Sequence, residues 1–214
     1  AAAWQIQPWA FAVRNGISFQ PFHNFSQDIK VTPSAVTGSI TVTASASVFD
    51  ASYVGQRLRI GGKRMSVTGF NSVTEIVADT IEDLIDVQET DDWEEPAFSD
   101  RRGWPATVAF HQDRLVVGGS RDLPNRLWLS KSGDLFNFDQ GTGLDDEAIE
   151  FPILSDQVNA IRALFSGRHL QVFTSGAEWM VTGSPLTPTT VQIQRQTRTG
   201  SPAGRTLPPK DVDG

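Results

Sequence analysis

The chain has 214 residues, a formal net charge of −7 and no cysteine, which excludes disulfides, thiolate nucleophiles and cysteine-ligated metal sites. The acidic balance argues against a surface that grips nucleic acid, because neutralising phosphates requires clustered lysine and arginine. The sequence has no apolar run of the roughly 18 residues that a membrane-spanning helix needs, so we expect no membrane insertion.

Residues 1–30 are rich in aromatic side chains that follow no clear period. Such a segment is typical of an arm that packs on a folded module, and we expect it to pack on the propeller-like module described below. The alternative is a strand contributed to another subunit. In either case the large aromatic residues of the arm are candidates for interface contacts, namely Trp4, Trp9 and Phe11.

Residues 31–90 contain several short stretches in which apolar and polar residues alternate. Ser39–Ser45 and Val73–Thr80 alternate with a period of two, and Gly61–Gly62 gives a turn after a third such stretch. Alternation of this kind predicts strands with one buried face. Several short strands in so few residues predict a small SH3-like antiparallel β-barrel over 31–90.

Residues 91–103 continue a polar, acidic stretch that begins near Asp86. A charge run of this kind is typical of a solvated surface, so we interpret 91–103 as an acidic linker between two modules. Trp93 in this linker and Trp104 after it are further candidates for contacts between subunits or modules.

Residues 104–214 contain two copies of a repeated β-unit. A phenylalanine and a leucine each recur after 55 residues, and a tryptophan recurs after 51. A repeat of roughly 40 to 55 residues built of short strands is the pattern of propeller blades. We therefore predict an all-β fold, in which a partial β-propeller-like module accompanies the barrel and needs more chain or other copies to complete it. The predicted blade core consists of Phe110, Leu115, Trp128, Phe165, Leu170 and Trp179.

The sequence offers no constellation that predicts catalysis. It has no nucleophile elbow, and its histidines, His23, His111 and His169, lie in unrelated contexts. His111 and His169 fall at nearby positions of successive repeats, which we expect to be separated in space. We predict no catalytic residue and no cofactor.

One tight acidic triplet is a candidate for a metal site. Asp145, Asp146 and Glu147 follow a glycine-containing turn, and hard oxygen ligands crowded on a loop can hold Ca²⁺. The spacing of an EF-hand loop is missing, however, and adjacent residues on an extended chain point in opposite directions. A solvated turn, or an ion pair with an arginine of a neighbouring subunit, is the alternative.

Several motifs resemble tail proteins of phages and prophages. The two longest are RGWPATVAFHQDRLVVGG from Arg102 to Gly119 and LWLSKSGDLFNF from Leu127 to Phe138. Shorter ones are Leu154–Ile161, Thr174–Trp179 and Pro185–Pro188. Together they are similar to the tubular, nozzle-like ring component of short-tailed phages, whose subunits bear propeller blades.

This resemblance implies a structural protein that acts without catalysis. Its copies would form a homo-oligomeric ring, most often a hexamer, around the DNA conduit of the tail. DNA would pass through the lumen without sequence-specific binding, and other tail proteins would lie above and below the ring. The implied location is the virion tail, after assembly in the cytoplasm of the bacterial host.

The region from Ser39 to Leu84 resembles the small barrel described in such proteins as similar to the first catalytic-cysteine half-domain of ubiquitin-activating enzymes. Because the chain has no cysteine, this similarity implies a shared fold and no ubiquitin chemistry. Two other functions stay open at this stage. One is a receptor- or glycan-binding tail module, which exposed aromatic clusters at blade tips would favour. The other is a propeller glycoside hydrolase, which needs two facing carboxylates.

Overall fold

The structure is a computed structural model that describes residues 9–155, 159–202 and 209–210. These residues form seventeen β-strands and one short 3₁₀ helix, so the predicted all-β fold is confirmed. The chain divides into two compact units. The barrel unit comprises residues 15–17 and 21–102, and the blade unit comprises residues 9–14, 18–20 and the described part of 103–214. A short hairpin of β1 (Val13–Arg14) and β2 (Ile17–Ser18) turns at Asn15 and Gly16.

The barrel unit is built on one curled antiparallel sheet. Its strands are β3 (Phe22–His23), β4 (Val31–Pro33), β5 (Ser39–Ala44), β6 (Arg57–Ile60), β7 (Lys63–Ser72), β8 (Glu75–Thr80) and β9 (Trp93–Pro96), with η1 (Ala51–Tyr53) between β5 and β6. The spatial order is β3-β9-β6-β7-β8-β5-β4. A bridge between Val31 and Thr90 joins β4 to the chain just before β9, so the two ends of the sheet approach each other.

The concave side of this sheet holds the core of the barrel unit. Alternate residues of β5, Ile40, Val42 and Ala44, are buried as the period-two pattern predicts. Phe49 and Tyr53 add aromatic rings, with ring centroids 5.1 Å apart in an edge-to-face arrangement. Further buried members are Val31, Leu58, Ile60, Met65, Val67, Ile76, Ala78, Leu84 and Trp93.

The boundaries predicted for the barrel and the linker are wrong. Trp93–Pro96 is strand β9, which pairs with both β3 and β6, and is therefore part of the sheet. The sheet also includes Phe22–His23, which we had placed in the N-terminal arm. Acidic residues misled the prediction because a strand with one exposed face tolerates charge on that face, as Glu94 does opposite Arg59.

The blade unit contains two four-stranded antiparallel sheets, each with its strands in chain order. The first sheet consists of β10 (Thr107–His111), β11 (Arg114–Gly118), β12 (Arg126–Leu129) and β13 (Ile149–Pro152). The second consists of β14 (Ile161–Ser166), β15 (Leu170–Thr174), β16 (Glu178–Thr182) and β17 (Gln192–Thr197). This up-and-down order is the topology of propeller blades.

The two sheets pack face to face around one core, and their first strands, β10 and β14, lie side by side. A Cβ atom at Gly118 would come within 3.1 Å of the Ile161 side chain, so a glycine here permits close approach of the sheets. Each sheet thus covers an apolar face of its neighbour, which neither could bury alone. The shared core comprises Val116, Leu127, Leu129, Ile149, Ile153, Ile161, Leu164, Leu170, Val172, Ala177, Trp179, Val181 and Leu186.

Candidate functional site

Strand β10 carries an exposed apolar strip formed by Val108 and Phe110, which are 60% and 65% exposed. The two residues share one face of the strand, and their cross-strand partners, Val117 and Leu115, are buried. The prediction that Phe110 belongs to the blade core is wrong. β10 is an edge strand of its sheet, and the face that carries Phe110 is opposite the core shared with the second sheet.

Four of the other five predicted core residues are buried, but not all in the same core. Leu170 and Trp179 belong to the core between the two sheets, and Phe165 is half-buried on the opposite face of its sheet. Leu115 and Trp128 are 5% and 1% exposed, yet they alternate with the core residues of β11 and β12 and so occupy the other face. Leucines and tryptophans at matching repeat positions therefore face in opposite directions.

A histidine links the two sheets where β10 and β14 end. His111 is buried, and its Nδ1 lies 2.9 Å from the Oγ of Ser166. Burial lowers the pKa of His111, and the nearby His169 lowers it further, so the ring is neutral at pH 7. The expectation that His111 and His169 are separated in space is therefore wrong. In the part of the chain that the structure describes, His111 has no carboxylate partner to orient it as a catalytic base.

The acidic triplet Asp145–Glu147 lies in a closed loop, and its side chains do not point to a common position. The carboxylate of Glu147 accepts hydrogen bonds from the backbone N–H groups of Thr142 and Leu144, at 2.8 and 2.7 Å. Asp146 pairs with Lys131 at 2.7 Å, and the hydrogen bond from Lys131 lowers the pKa of Asp146. Among the described residues, no group of three or more acidic or histidine side chains could hold a metal ion.

Arg114 anchors the same loop from inside the first sheet. This side chain is 2% exposed and donates hydrogen bonds to three backbone carbonyls, those of Ser130 at 2.7 Å, Glu147 at 2.6 Å and Asp145 at 2.8 Å. Burial lowers the pKa of Arg114. This role was not predicted, since an arginine next to a hairpin turn is ordinarily solvated.

Two of the predicted interface residues form an aromatic cluster on the blade unit. Trp9, 40% exposed, and the half-buried Phe11 have ring centroids 4.5 Å apart. Phe136, 44% exposed, and the buried Phe138 lie within 6.4 Å of the Trp9 ring centroid. Trp4 lies outside the described residues. The exposed rings leave this cluster able to contact a ligand or a partner.

Of the two remaining tryptophans predicted at interfaces, only Trp104 is accessible, with 51% of its surface exposed. The interface prediction for Trp93 is wrong. Its ring is 2% exposed in the core of the barrel unit, and its Nε1 donates a hydrogen bond to the Ile29 carbonyl at 2.7 Å. A lone tryptophan among carboxylates suggested exposure, but alternation on β9 turns this ring inward while Glu94 faces out.

A buried ion cluster at the end of the barrel unit was also missed. Glu95 is 2% exposed and pairs with Arg101 at 3.4 Å and Arg102 at 2.5 Å. The Arg101 guanidinium stacks over the Tyr53 ring at 4.3 Å, and burial raises the pKa of Tyr53. Adjacent arginines shortly after an acidic strand were the available signal. The cluster fixes the C-terminal segment of this unit.

No family model matches this chain, and no match was found among the curated proteins. The resemblance to phage tail proteins therefore depends on the motifs quoted above. Among the residues that the structure describes, there is no helix with the length and apolar character needed to cross a membrane.

Proposed function

We propose that the chain is a structural subunit of a phage tail, part of a homo-oligomeric, nozzle-like ring around the DNA conduit. The observation that carries this proposal is the pair of blade-like sheets, packed through one core with β10 and β14 adjacent. Stacked repeats of this kind present extended surfaces and supply no chemistry by themselves. The motif resemblance supports the place of such a subunit in a tail.

The exposed β10 strip supports an assembly role. Val108 and Phe110 are large apolar side chains on an edge strand, which is where a soluble monomer ordinarily places charge. Covering them with a neighbouring subunit or blade removes this apolar surface from water. Work of this kind depends on shape and interfaces, and it requires no catalytic residue or cofactor.

In the proposed ring, six copies would contact one another through heterologous surfaces that close on rotation. Other tail proteins would bind above and below, and DNA would pass through the lumen without sequence-specific binding. The net charge of −7 supports this last point, since an acidic wall does not retain phosphates. The location would be the virion tail, after assembly in the host cytoplasm.

The test is the solution mass of the chain by light scattering over a concentration series. We expect a discrete oligomer, and we expect Phe110→Ser to shift it toward monomer. Val73→Ser, at a 51% exposed position on the barrel unit, is the matched control and leaves the mass unchanged. A strictly monomeric chain at 100 μM or more (an interface of Kd above about 10⁻⁴ M) would contradict the proposal.

A second candidate function is binding of a receptor or glycan. The observation that favours it is the exposed aromatic cluster of Trp9 and Phe136, next to the ion pair of Arg14 and Asp134 at 2.6 Å. Aromatic faces beside planar polar groups suit a saccharide, which has both apolar and hydroxyl-bearing sides. Binding to a glycan array, lost in Trp9→Ala and retained in Val73→Ser, would support this candidate over a purely structural role.

A further inference from the structure

The outer face of the second sheet in the blade unit, the side opposite the shared core, has an apolar centre. The strand register places four half-buried apolar side chains on this face: Ala163, Phe165, Phe173 and Met180. A sheet face that stays in contact with water ordinarily carries polar residues in alternation with the buried ones. The apolar residues in their place indicate a face that another surface covers.

Charge contributes little to this outer face. Arg195 pairs with Trp179 across the ladder, so its side chain lies on the core face, where its guanidinium is 6.0 Å from the Trp179 ring centroid. Arg162 lies at the bulge near the start of β14. Of the residues of β15, β16 and β17, only Glu178 places a charge on the outer face, and its carboxylate accepts a hydrogen bond from the Thr197 Oγ1 at 3.1 Å. Depletion of charge is typical of the centre of a protein interface.

The β10 strip, Val108 and Phe110, is a second uncovered apolar surface, and it lies on the first sheet of the same unit. Further along the same face of that sheet, Leu115, Val117 and Trp128 are at most 5% exposed. Burial of this face therefore stops at β10. The strip and the outer face of the second sheet both point away from the shared core, so they lie at opposite ends of the two-sheet stack.

We propose that the outer face of the second sheet of one copy packs on the β10 strip of the next copy. Packing of one sheet on another is already how this unit buries apolar residues, through the core shared by its two sheets. The contact between copies extends this stacking from one chain to the next. This inference rests on the proposed function, because it names the surfaces through which the ring would form.

The position of the two surfaces at opposite ends of the stack selects a second copy as the occupant. A head-to-tail contact uses both surfaces of every copy, and a ring that closes by rotation leaves neither of them in water. An isologous contact between two β10 strips would leave the outer face of the second sheet uncovered in both copies. A single contact between copies of this chain therefore accounts for both apolar surfaces.

The two surfaces also match in chemistry. Phe110 on the strip and Phe173 on the outer face can form an aromatic pair, which stabilises a contact beyond the area that it buries. Met180 is flexible enough to fill the irregular space beside such rings. Gln171 lies between apolar neighbours and Gln194 borders the face on β17, so hydrogen-bonding groups accompany the apolar centre, as in most interfaces.

The experiment uses the absence of cysteine from the chain, because a pair of introduced thiols then reports one contact. The variant carries Val108→Cys and Met180→Cys, and it is treated with a bis-maleimide that spans about 10 Å, the spacing of stacked sheets. We expect a denaturing gel to show a ladder of covalent oligomers that stops at the copy number of the ring. Each single-cysteine variant should stay monomeric on the gel, because the facing surface of its neighbour has no thiol.

Two controls accompany the crosslinking. Val108→Cys with Val73→Cys has the same number of thiols, but Val73 lies on the barrel unit and is 51% exposed, so this variant should give no ladder. Phe173→Ser tests the contact without crosslinking, and in sedimentation velocity it should weaken self-association at least about tenfold. Val73→Ser should leave self-association unchanged.

The possible failures separate this inference from the proposed function. A double-cysteine variant that associates as the wild type does and gives no ladder would overturn the inference and leave the proposed function in place. Covalent dimers of Val108→Cys alone would do the same, since they require an isologous contact between two strips. Self-association that Phe173→Ser does not weaken would also count against the inference alone. A wild type that never associates would overturn both.

Discussion

Replacing Arg114 by methionine should destabilise the blade unit by about 2.5–5 kcal/mol. The side chain is 2% exposed, and its guanidinium bonds to three backbone carbonyls. A hydrogen bond to a charged group contributes about 1.5–3 kcal/mol when the partner is left buried and unpaired. Ser130 is fully buried, so its carbonyl would stay unpaired and the whole of this contribution would be lost. Asp145 is exposed and Glu147 half-buried, so their carbonyls regain water and add about 0.5–1 kcal/mol each.

The assay combines urea unfolding with hydrogen exchange. Arg114→Met should lower the free energy of unfolding by the stated amount and should speed exchange of the loop amides of Ser132 and Glu147, which are bonded to loop carbonyls. Arg114→Lys is the control, because lysine keeps the charge but supplies fewer hydrogen-bond donors. Its free energy of unfolding should lie between those of the wild type and Arg114→Met. A loss below about 1 kcal/mol for Arg114→Met, with unchanged loop exchange, would refute the anchoring role.

Three further predictions concern individual residues. Because burial lowers the folded-state pKa of His111, the unfolded chain binds the proton at the higher pH. The contribution of His111 to stability should be fully present above about pH 6.5 and should be lost as the pH falls through the lowered pKa. In thermal unfolding measured against pH, His111→Asn should reduce this loss. Gly141→Ala should lower the free energy of unfolding by about 2–3 kcal/mol, because Gly141 has φ +51° and a Cβ atom there would overlap the carboxylate of Glu147. Gly133→Ala, at φ +71° with open space around it, should lower it by about 1 kcal/mol in the same urea assay. Phe110→Ser should change the free energy of unfolding by less than about 0.5 kcal/mol, while Leu115→Ala, its buried cross-strand neighbour, should cost about 2–4 kcal/mol; equal losses would contradict the exposed strip.

Local pattern predicted the strands well because alternation records directly which face of a strand is buried. Ile40, Val42 and Ala44 show this on β5. The hairpin between β10 and β11 turns at Gln112 and Asp113. Both residues adopt positive φ, as a two-residue type I′ turn requires.

The repeat predicted a second β-unit, but not which face each residue would occupy. Phe110 pairs directly with Leu115 across a two-residue turn. In the second sheet, Phe165 pairs with Gln171, and Leu170 pairs with Ser166 across a turn that is one residue longer. A shift of one residue moves a side chain to the opposite face of a sheet. Equal spacing along the sequence therefore conceals opposite orientations.

Pairing between distant segments could not be predicted from the sequence, for a different reason. The acidic residues near Trp93 indicated a solvated linker, and only pairing with β3 and β6 turns Trp93–Pro96 into a strand. The loop contacts of Arg114 likewise join residues that are 16 to 33 positions apart. Such contacts depend on the tertiary fold, which local composition does not encode.

Assembly into a ring can be observed by negative-stain electron microscopy of the chain at concentrations where light scattering detects association. The expectation is closed rings of uniform copy number with a central opening, and their loss in the Phe110→Ser variant. Open filaments, isologous dimers or monomers alone in the wild-type images would contradict it.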